Sequence, residues 1–151
     1  MKKPALIFFT VLILCAWEVR AQTTTVSEAD KAAIKQTALD YIEGWYSGDA
    51  ERMERAVHPD LAKRIVLTDA QGKSRLNQMS AMGLVQGTRR GGGKDTPKDK
   101  HRKDITILDV NENAASVKIV ASDWIDYLHI AKFNGRWMIV NVLWELKSKE
   151  K

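Results

Sequence analysis

The sequence has few of the residues that build disulfides, metal centres and nucleophilic active sites. It contains one cysteine, Cys15, and three histidines among 151 residues. A single thiol cannot form a disulfide within the chain, and no two histidines stand at the short spacing typical of a zinc site on a helix. No nucleophile motif is present either. We therefore expect no metal, no cofactor and no catalytic residue that a motif alone would assign.

The sequence also lacks a strong charge imbalance and a long hydrophobic run. The net charge is +5, of which the first 21 residues contribute +2 through Lys2, Lys3 and Arg20 against Glu18. The longest apolar run, residues 5–16, is well below the roughly 20 residues that span a bilayer. These features predict neither a nucleic-acid partner nor a stable membrane span.

The N-terminus has the pattern of a secretory leader. Lys2 and Lys3 precede the apolar residues 5–16, and small residues stand before Gln22, where cleavage is expected. The prediction is an exported protein, periplasmic or secreted, with an uncleaved anchor as the alternative. A leucine in front of Cys15 does not fit a lipoprotein signal, so the cysteine should leave with the leader.

The rest of the chain reads as one domain. We assign residues 1–21 to the signal peptide, 22–26 to a polar tether, 27–147 to the domain and 148–151 to a charged tail. Ser27 is an N-cap for a long amphipathic helix that Gly48 ends, and Asp49 caps a second helix over 50–57. The apolar stripe of the first helix is Ile34, Ala38, Tyr41, Ile42 and Trp45.

The middle of the chain gives weaker signals. Residues 60–65 are compatible with a short turn, 65–68 with a short strand, and 76–85 with a weak helix. Residues 89–103 are glycine-rich and basic, which indicates a loop. The loop is interpreted as mobile and solvated, with attraction of an anion or an envelope surface as the alternative. Its Gly91-Gly-Gly-Lys94 run lacks the ending of a phosphate loop.

The last third of the chain is predicted to be β-sheet. Residues 105–110 form one strand, and residues 115–133 form a single very long strand, bent or bulged near Ser122-Asp123. Asn134-Gly135 is a strong two-residue hairpin signal, and residues 136–146 return. Helices followed by long strands indicate an α+β fold.

A two-residue turn fixes which side chains of this hairpin share a face. One face should hold Trp124, Asp126, Leu128, Ile130, Trp137, Ile139, Asn141 and Leu143. The other should hold Ile125, Tyr127, His129, Ala131, Met138, Val140, Val142 and Trp144. Because both sets are largely apolar, helices should cover one face and a second subunit the other. The sequence thus predicts a homodimer through the sheet.

Several segments, in this order, resemble a known family. They are Tyr41-Ile-Glu-Gly44, Gly48-Asp49, Val57-His-Pro-Asp60, Ala115-Ser-Val-Lys-Ile119, Asp126-Tyr-Leu128 and Asn134-Gly-Arg-Trp-Met-Ile-Val-Asn141. The chain resembles the putative lumazine-binding family of the nuclear transport factor 2-like, cystatin-like superfamily over residues 27–147. The resemblance implies a long N-terminal helix packed on a strongly curved sheet, a cone with a pocket, and frequent dimerisation. The family's name suggests a pteridine ligand.

Aromatic side chains on the predicted inner face are the candidates for a ligand pocket. Tyr41, Trp45, Trp124 and Trp137 would form its walls, with core packing as the alternative. Asp126 and Asn141 lie on the same predicted face, where a carboxylate in apolar surroundings would act as an acid or base beside a hydrogen-bond donor. The alternative for Asp126 is a residue at the sheet rim, held by backbone or by Lys132.

The opposite face offers a rival pair, Tyr127 and His129, because a bulge in the long strand would reverse which residues point inward. Three functions therefore stay open. The first is a non-catalytic protein that binds a small, aromatic molecule. The second is an isomerase or dehydratase with Asp126 or His129 as base, which the superfamily includes. The third is a protein-interaction module with a filled cone.

Overall fold

The computed structural model describes residues 26–148, so the predicted leader, Cys15 and nearly all of the tether and tail lie outside the described residues. Within these residues there are three α-helices and one short 3-10 helix. They are α1 (Glu28–Ser47), α2 (Ala50–Ala56), α3 (Ala81–Arg89) and the 3-10 turn Lys98–Lys100. Among these helices, none has the length and apolar composition needed to cross a membrane.

Six strands form one mixed sheet. They are β1 (Val57–Thr68), β2 (Ser74–Ser80), β3 (Asp104–Asn111), β4 (Ala114–Val120), β5 (Trp124–Phe133) and β6 (Arg136–Leu146). The order across the sheet is β2-β1-β6-β5-β4-β3. Only the β1–β6 pair is parallel, and the other pairs are antiparallel. The helices pack on one face of this sheet, which confirms the α+β prediction.

Local capping chemistry sets the ends of α1. The Ser27 side chain accepts a hydrogen bond from the backbone N–H of Asp30, and Gly48 closes the helix in the left-handed conformation with φ +68°. The β5–β6 hairpin is equally local. Asn134 and Gly135 both have positive φ, and Phe133 pairs with Arg136. Both features are confirmed as predicted.

Asp30 ties the first turn of α1 to the sheet. Its Oδ1 accepts hydrogen bonds from Lys132 Nζ at 2.7 Å and from Trp137 Nε1 at 2.9 Å. Ser27 Oγ donates to the other carboxylate oxygen at 2.8 Å. These hydrogen bonds lower the pKa of Asp30 from 3.8 to about 2, and the bond from Lys132 makes the largest contribution to this shift.

Asp30→Asn is expected to lower the free energy of unfolding near neutral pH but not in strong acid. Because the folded carboxyl has the lower pKa, its contribution is present above pH 3.8 and is lost as the pH falls toward about 2. Urea denaturation should find the variant less stable than the wild type near pH 6 and equally stable below about pH 2. A difference that stays constant over this range would contradict the assignment.

Two predictions for the middle of the chain are wrong. Residues 60–65 do not form a turn, because β1 runs unbroken from Val57 to Thr68. The register against β6 shifts between Val57 and Ala62, which accommodates Pro59, a residue without a backbone N–H. Residues 76–85 are not one helix. Their first part is β2, paired with β1, and α3 begins only after the Ser80 cap.

The single long strand over residues 115–133 is also wrong. A turn at Ala121–Asp123 divides it into β4 and β5, which pair antiparallel. The Tyr46 hydroxyl accepts the N–H of Ser122 at 3.0 Å and lies 2.8 Å from its Oγ. Lys147 Nζ donates to the carbonyls of Ala121 and Ser122. Distant side chains thus satisfy the polar groups that a continuous strand would have paired.

The predicted faces of the β5–β6 hairpin are right for β5 and for the start of β6, and wrong for the rest of β6. The register shifts at His129–Ile130 because β6 carries an extra residue at Val140. Trp137 and Ile139 face the core as predicted, whereas Asn141 and Leu143 turn outward. Val142, fully buried, takes the inward place. The helices cover the inward face, where the core consists mainly of aliphatic residues from α1, β4, β5 and β6.

Candidate functional site

A cavity of about 380 Å³ opens at one end of the inner face of the sheet, beside the C-terminal half of α1. Such a volume is in the range of small-molecule sites. The walls are mostly apolar. They are formed by Tyr41, Trp45, Met53, Lys63, Met79, Leu84, Gly92, Thr96, Asp123, Trp124, Trp144 and Leu146.

A buried polar cluster lies in the wall of this cavity. Lys63 Nζ donates to Asp126 Oδ1 and to the Tyr41 hydroxyl, each at 2.6 Å. Trp124 Nε1 donates to Asp126 Oδ2 at 2.7 Å. The side chain of Asp126 is fully buried and that of Lys63 is 9 % exposed. Both carboxylate oxygens are therefore engaged, and the ammonium and carboxylate charges are paired.

Burial changes the proton affinities of this cluster. Desolvation lowers the pKa of Lys63, and the attraction of Asp126 opposes it only in part. Desolvation also raises the pKa of Tyr41 well above 10, and the negative charge of Asp126 adds to this. Tyr41 therefore stays a neutral hydroxyl, while the Lys63 ammonium holds its proton less tightly than a lysine in water.

Two aromatic rings face the Lys63 ammonium. Nζ lies 4.7 Å from the centroid of the Trp144 ring and 5.4 Å from that of Tyr41. Both distances are within the range of cation–π attraction. The cavity thus presents aromatic faces and one amine with an acid beside it, an arrangement that suits a flat ligand with a polar edge.

The predicted site residues divide between this cavity and other places. Tyr41, Trp45 and Trp124 line the cavity, and Asp126 lies behind that wall and bonds to two of its members. Trp137 does not line it, because its indole is held by Asp30 at the other end of α1. Asn141 also lies elsewhere, since the bulge in β6 turns it to the outer face.

The rival pair, Tyr127 and His129, lies on the outer face of the sheet. His129 pairs with Asn141 across the strands, and the Asn141 amide is 3.4 Å from its Nδ1. Arg64 donates to Asn141 at 2.7 Å on the same face. His129 therefore cannot act as a base inside the cavity.

The other two histidines stack on aromatic rings. His58 lies 4.4 Å from the Phe133 ring and His101 lies 4.2 Å from the Tyr46 ring, centroid to centroid. Within residues 26–148, no three side chains of His, Cys, Asp or Glu gather as a set of metal ligands.

Lys63 and Trp144 line the cavity, although neither is among the predicted site residues. Lys63 stands two residues from Leu61 and two from Ile65, both of which are buried. In a strand this spacing places all three side chains on the same, inward face, and it is the sequence signal for Lys63. The turn predicted for this segment concealed it. In a hairpin without a bulge, Trp144 would lie on the outer face of the sheet. The extra residue in β6 turns it toward the cavity.

The glycine-rich segment after α3 forms part of the cavity wall. Gly93 is buried, and a Cβ atom there would lie 2.5 Å from the carbonyl oxygen of Trp45. Gly92 packs on the six-membered ring of the same tryptophan. The prediction of a loop is right, but the backbone of the glycines packs closely on α1.

A larger depression of about 610 Å³ lies between α2, α3 and the neighbouring ends of β1 and β6. Exposed charged side chains, including Glu51, Glu54 and Arg55, line much of it. It has no buried polar cluster comparable to Lys63 and Asp126. The aromatic cavity is therefore the better candidate for a ligand site.

Comparisons with known proteins identify the architecture. The family model described as Putative lumazine-binding matches residues 29–145. Comparison with curated proteins finds no match.

Solved structures show the same fold. A nuclear transport factor 2-like protein of unknown function from Methylobacillus flagellatus is 22 % identical with a TM-score of 0.64, covering 82 % of this chain and 97 % of that one. One from Shewanella baltica is 17 % identical with a TM-score of 0.61, covering 83 % and 99 %. A protein with a cystatin-like fold from Nostoc punctiforme is 15 % identical with a TM-score of 0.59, covering 82 % and 96 %.

Proposed function

The chain belongs to the Putative lumazine-binding family, with a nuclear transport factor 2-like fold, and we propose that it is an exported protein that binds a small planar aromatic molecule and is not an enzyme. The observation that carries the proposal is the cavity with Tyr41, Trp45, Trp124 and Trp144 around the buried Lys63 amine. A pteridine-like ring has the flat faces and polar edge that these groups would contact.

Binding rather than hydrolytic or isomerising chemistry is favoured by the state of Asp126. A general base needs a free lone pair within reach of its substrate. Asp126 is instead fully buried behind the cavity wall, out of direct contact with a bound molecule, and His129 lies on the outer face. A pure protein-interaction module would have a filled cone, so the open cavity of about 380 Å³ favours small-molecule binding.

Trp144→Ala is expected to weaken binding of an aromatic ligand about tenfold, since loss of one stacking face costs on the order of 1.4 kcal/mol. A thermal-shift screen with pteridines, flavins and lipids identifies the ligand, and tryptophan quenching gives the Kd. Trp137→Phe is the matched control, because Trp137 lies away from the cavity. Equal loss of affinity in both variants would contradict the proposed site.

Export is proposed from the leader pattern in residues 1–21. N-terminal sequencing of the protein recovered from outside the cytoplasm should begin at Gln22. A chain that retains the leader would point to the anchored alternative.

A homodimer through the outer face of the sheet is also proposed. Exposed apolar side chains form two cross-strand pairs there, Leu76 with Val66 on β2 and β1 and Leu143 with Tyr127 on β6 and β5, and Arg64 lies opposite Leu143 on β1. A two-fold axis through such a face would cover the same patch on both copies.

Leu143→Asp is expected to convert the dimer to a monomer, because it would bury a carboxylate in the proposed interface. Light scattering should give about twice the chain mass for the wild type and the single-chain mass for the variant. Met82→Asp is the control, since Met82 is 76 % exposed on the helical side. A wild-type monomer at micromolar concentration would overturn the proposal.

A further inference from the structure

The Lys63 amine has a position that few lysines occupy. Lysine is almost never buried unless it is paired, and here the amine lies in the wall of an aromatic cavity with an acid and a hydroxyl in contact. We propose that Lys63 reversibly forms an imine with an aromatic aldehyde or ketone that enters the cavity. The inference rests on the proposed function, since the cavity must first admit a small molecule.

The geometry provides a route to the neutral amine, which is the form that attacks a carbonyl. Nζ is 2.6 Å from Asp126 Oδ1, so one proton can pass along an existing hydrogen bond. The transfer turns a buried ion pair into a neutral amine and a neutral acid, which relieves the cost of holding two charges away from water. Burial, which lowers the pKa of Lys63, acts in the same direction.

The reaction balances with the groups present. After Asp126 takes a proton, the Nζ lone pair forms the C–N bond, and the proton returns to the carbonyl oxygen through the Tyr41 hydroxyl, which lines the cavity and lies 3.4 Å from Asp126 Oδ1. The carboxylate then takes a second proton from nitrogen, and the same route delivers it to the hydroxyl, which leaves as water. The product is a protonated imine beside an ionised Asp126, with one water released and no oxidant or reductant consumed.

The neighbouring groups suit this product. The protonated imine carries the charge that Lys63 had, so Asp126 remains its counter-ion at the same place. The Tyr41 hydroxyl, 2.6 Å from Nζ, keeps the nitrogen in position. The rings of Trp124 and Trp144 would contact the aromatic part of the carbonyl compound, which sets aromatic aldehydes and ketones above aliphatic ones.

Reductive trapping tests the proposal on the wild-type chain. The protein is incubated at neutral pH with benzaldehyde and sodium cyanoborohydride, and the benzylated lysines are located by peptide mapping. Lys63 should be labelled at least about tenfold faster than Lys118, because the cavity holds the aldehyde beside an amine that can pass its proton to Asp126. Lys118 is the comparison because it lies on the outer face, near Tyr127.

Benzyl alcohol separates this inference from the binding function. It has the same ring but no carbonyl, so it should quench tryptophan fluorescence without any adduct. Quenching by benzyl alcohol with surface lysines labelled and Lys63 unlabelled would overturn the imine and leave the binding function standing. If neither compound quenches and Lys63 stays unlabelled, both proposals fail.

Two variants check the roles of the residues. Lys63→Arg should lose the cavity adduct while keeping a positive charge beside Asp126. Asp126→Asn should slow labelling of Lys63 relative to Lys118 in the same sample, because the amide cannot carry protons to the carbonyl oxygen and to the leaving hydroxyl. Circular dichroism establishes that each variant is folded, and unchanged Lys63 labelling in a folded Asp126→Asn protein would contradict the role of the carboxylate.

Discussion

Asp126→Ala is expected to lower the free energy of unfolding by about 3–5 kcal/mol. The substitution leaves the Lys63 ammonium in the wall of the cavity without its counter-ion. It also removes the acceptor for Trp124 Nε1. Losing one partner of a buried ion pair costs far more than losing an exposed pair, because the remaining charge has no water to replace it.

Urea denaturation of a matched set of variants would measure this effect. Lys63→Met with Asp126→Leu removes both charges at once and should destabilise the protein much less than Asp126→Ala alone. With the single variants Lys63→Met and Asp126→Leu measured as well, the non-additivity of the cycle reports the coupling between the two side chains. Effects below about 1 kcal/mol for Asp126→Ala would mean that water reaches the pair and that its environment is not dry.

The elements that the sequence predicts well are those whose backbone chemistry is local. A serine cap, a left-handed glycine and an Asn-Gly turn determine the ends of α1 and the β5–β6 hairpin within a few residues. No distant contact competes with these signals, so the structure has them where the pattern places them.

The elements that the sequence predicts poorly depend on partners far along the chain. β2 pairs with β1 although its residues have no clear period, and all of them are exposed. The turn between β4 and β5 is held by Tyr46 and Lys147, which lie more than 20 residues away. Neither partner can be identified before the fold is known.

The candidate site shows the same division. Tyr41 and Trp45 line the cavity as predicted, because the side chains of a regular helix such as α1 face one direction at steps of three and four residues. The single extra residue in β6 reverses the facing of every residue after it, which sends Asn141 outward and brings Trp144 inward. Lys63 was not predicted because the turn expected over residues 60–65 hid the strand in which it lies between the buried Leu61 and Ile65.

Gly93→Ala is expected to lower the free energy of unfolding by about 1–3 kcal/mol, the usual cost of overpacking. Its new Cβ would lie 2.5 Å from the Trp45 carbonyl oxygen and 2.6 Å from its Cδ1. The oxygen belongs to the backbone of α1, so the helix or the glycine segment must move. Since Trp45 is a wall of the cavity, ligand affinity should fall together with stability.

Gly87→Ala provides the matched control for this substitution. Gly87 lies in α3 and faces the same tryptophan, but its added Cβ would meet Trp45 at 3.7 Å, an ordinary contact. Alanine favours a helix over glycine, so this variant should be as stable as the wild type or gain up to about 1 kcal/mol. Urea denaturation and ligand titration of both variants would then separate the close approach of backbone to Trp45 from a general effect of replacing glycine. If Gly93→Ala matched Gly87→Ala in stability and affinity, the glycine segment would be shown to adapt freely, and the shape of the cavity would not depend on it.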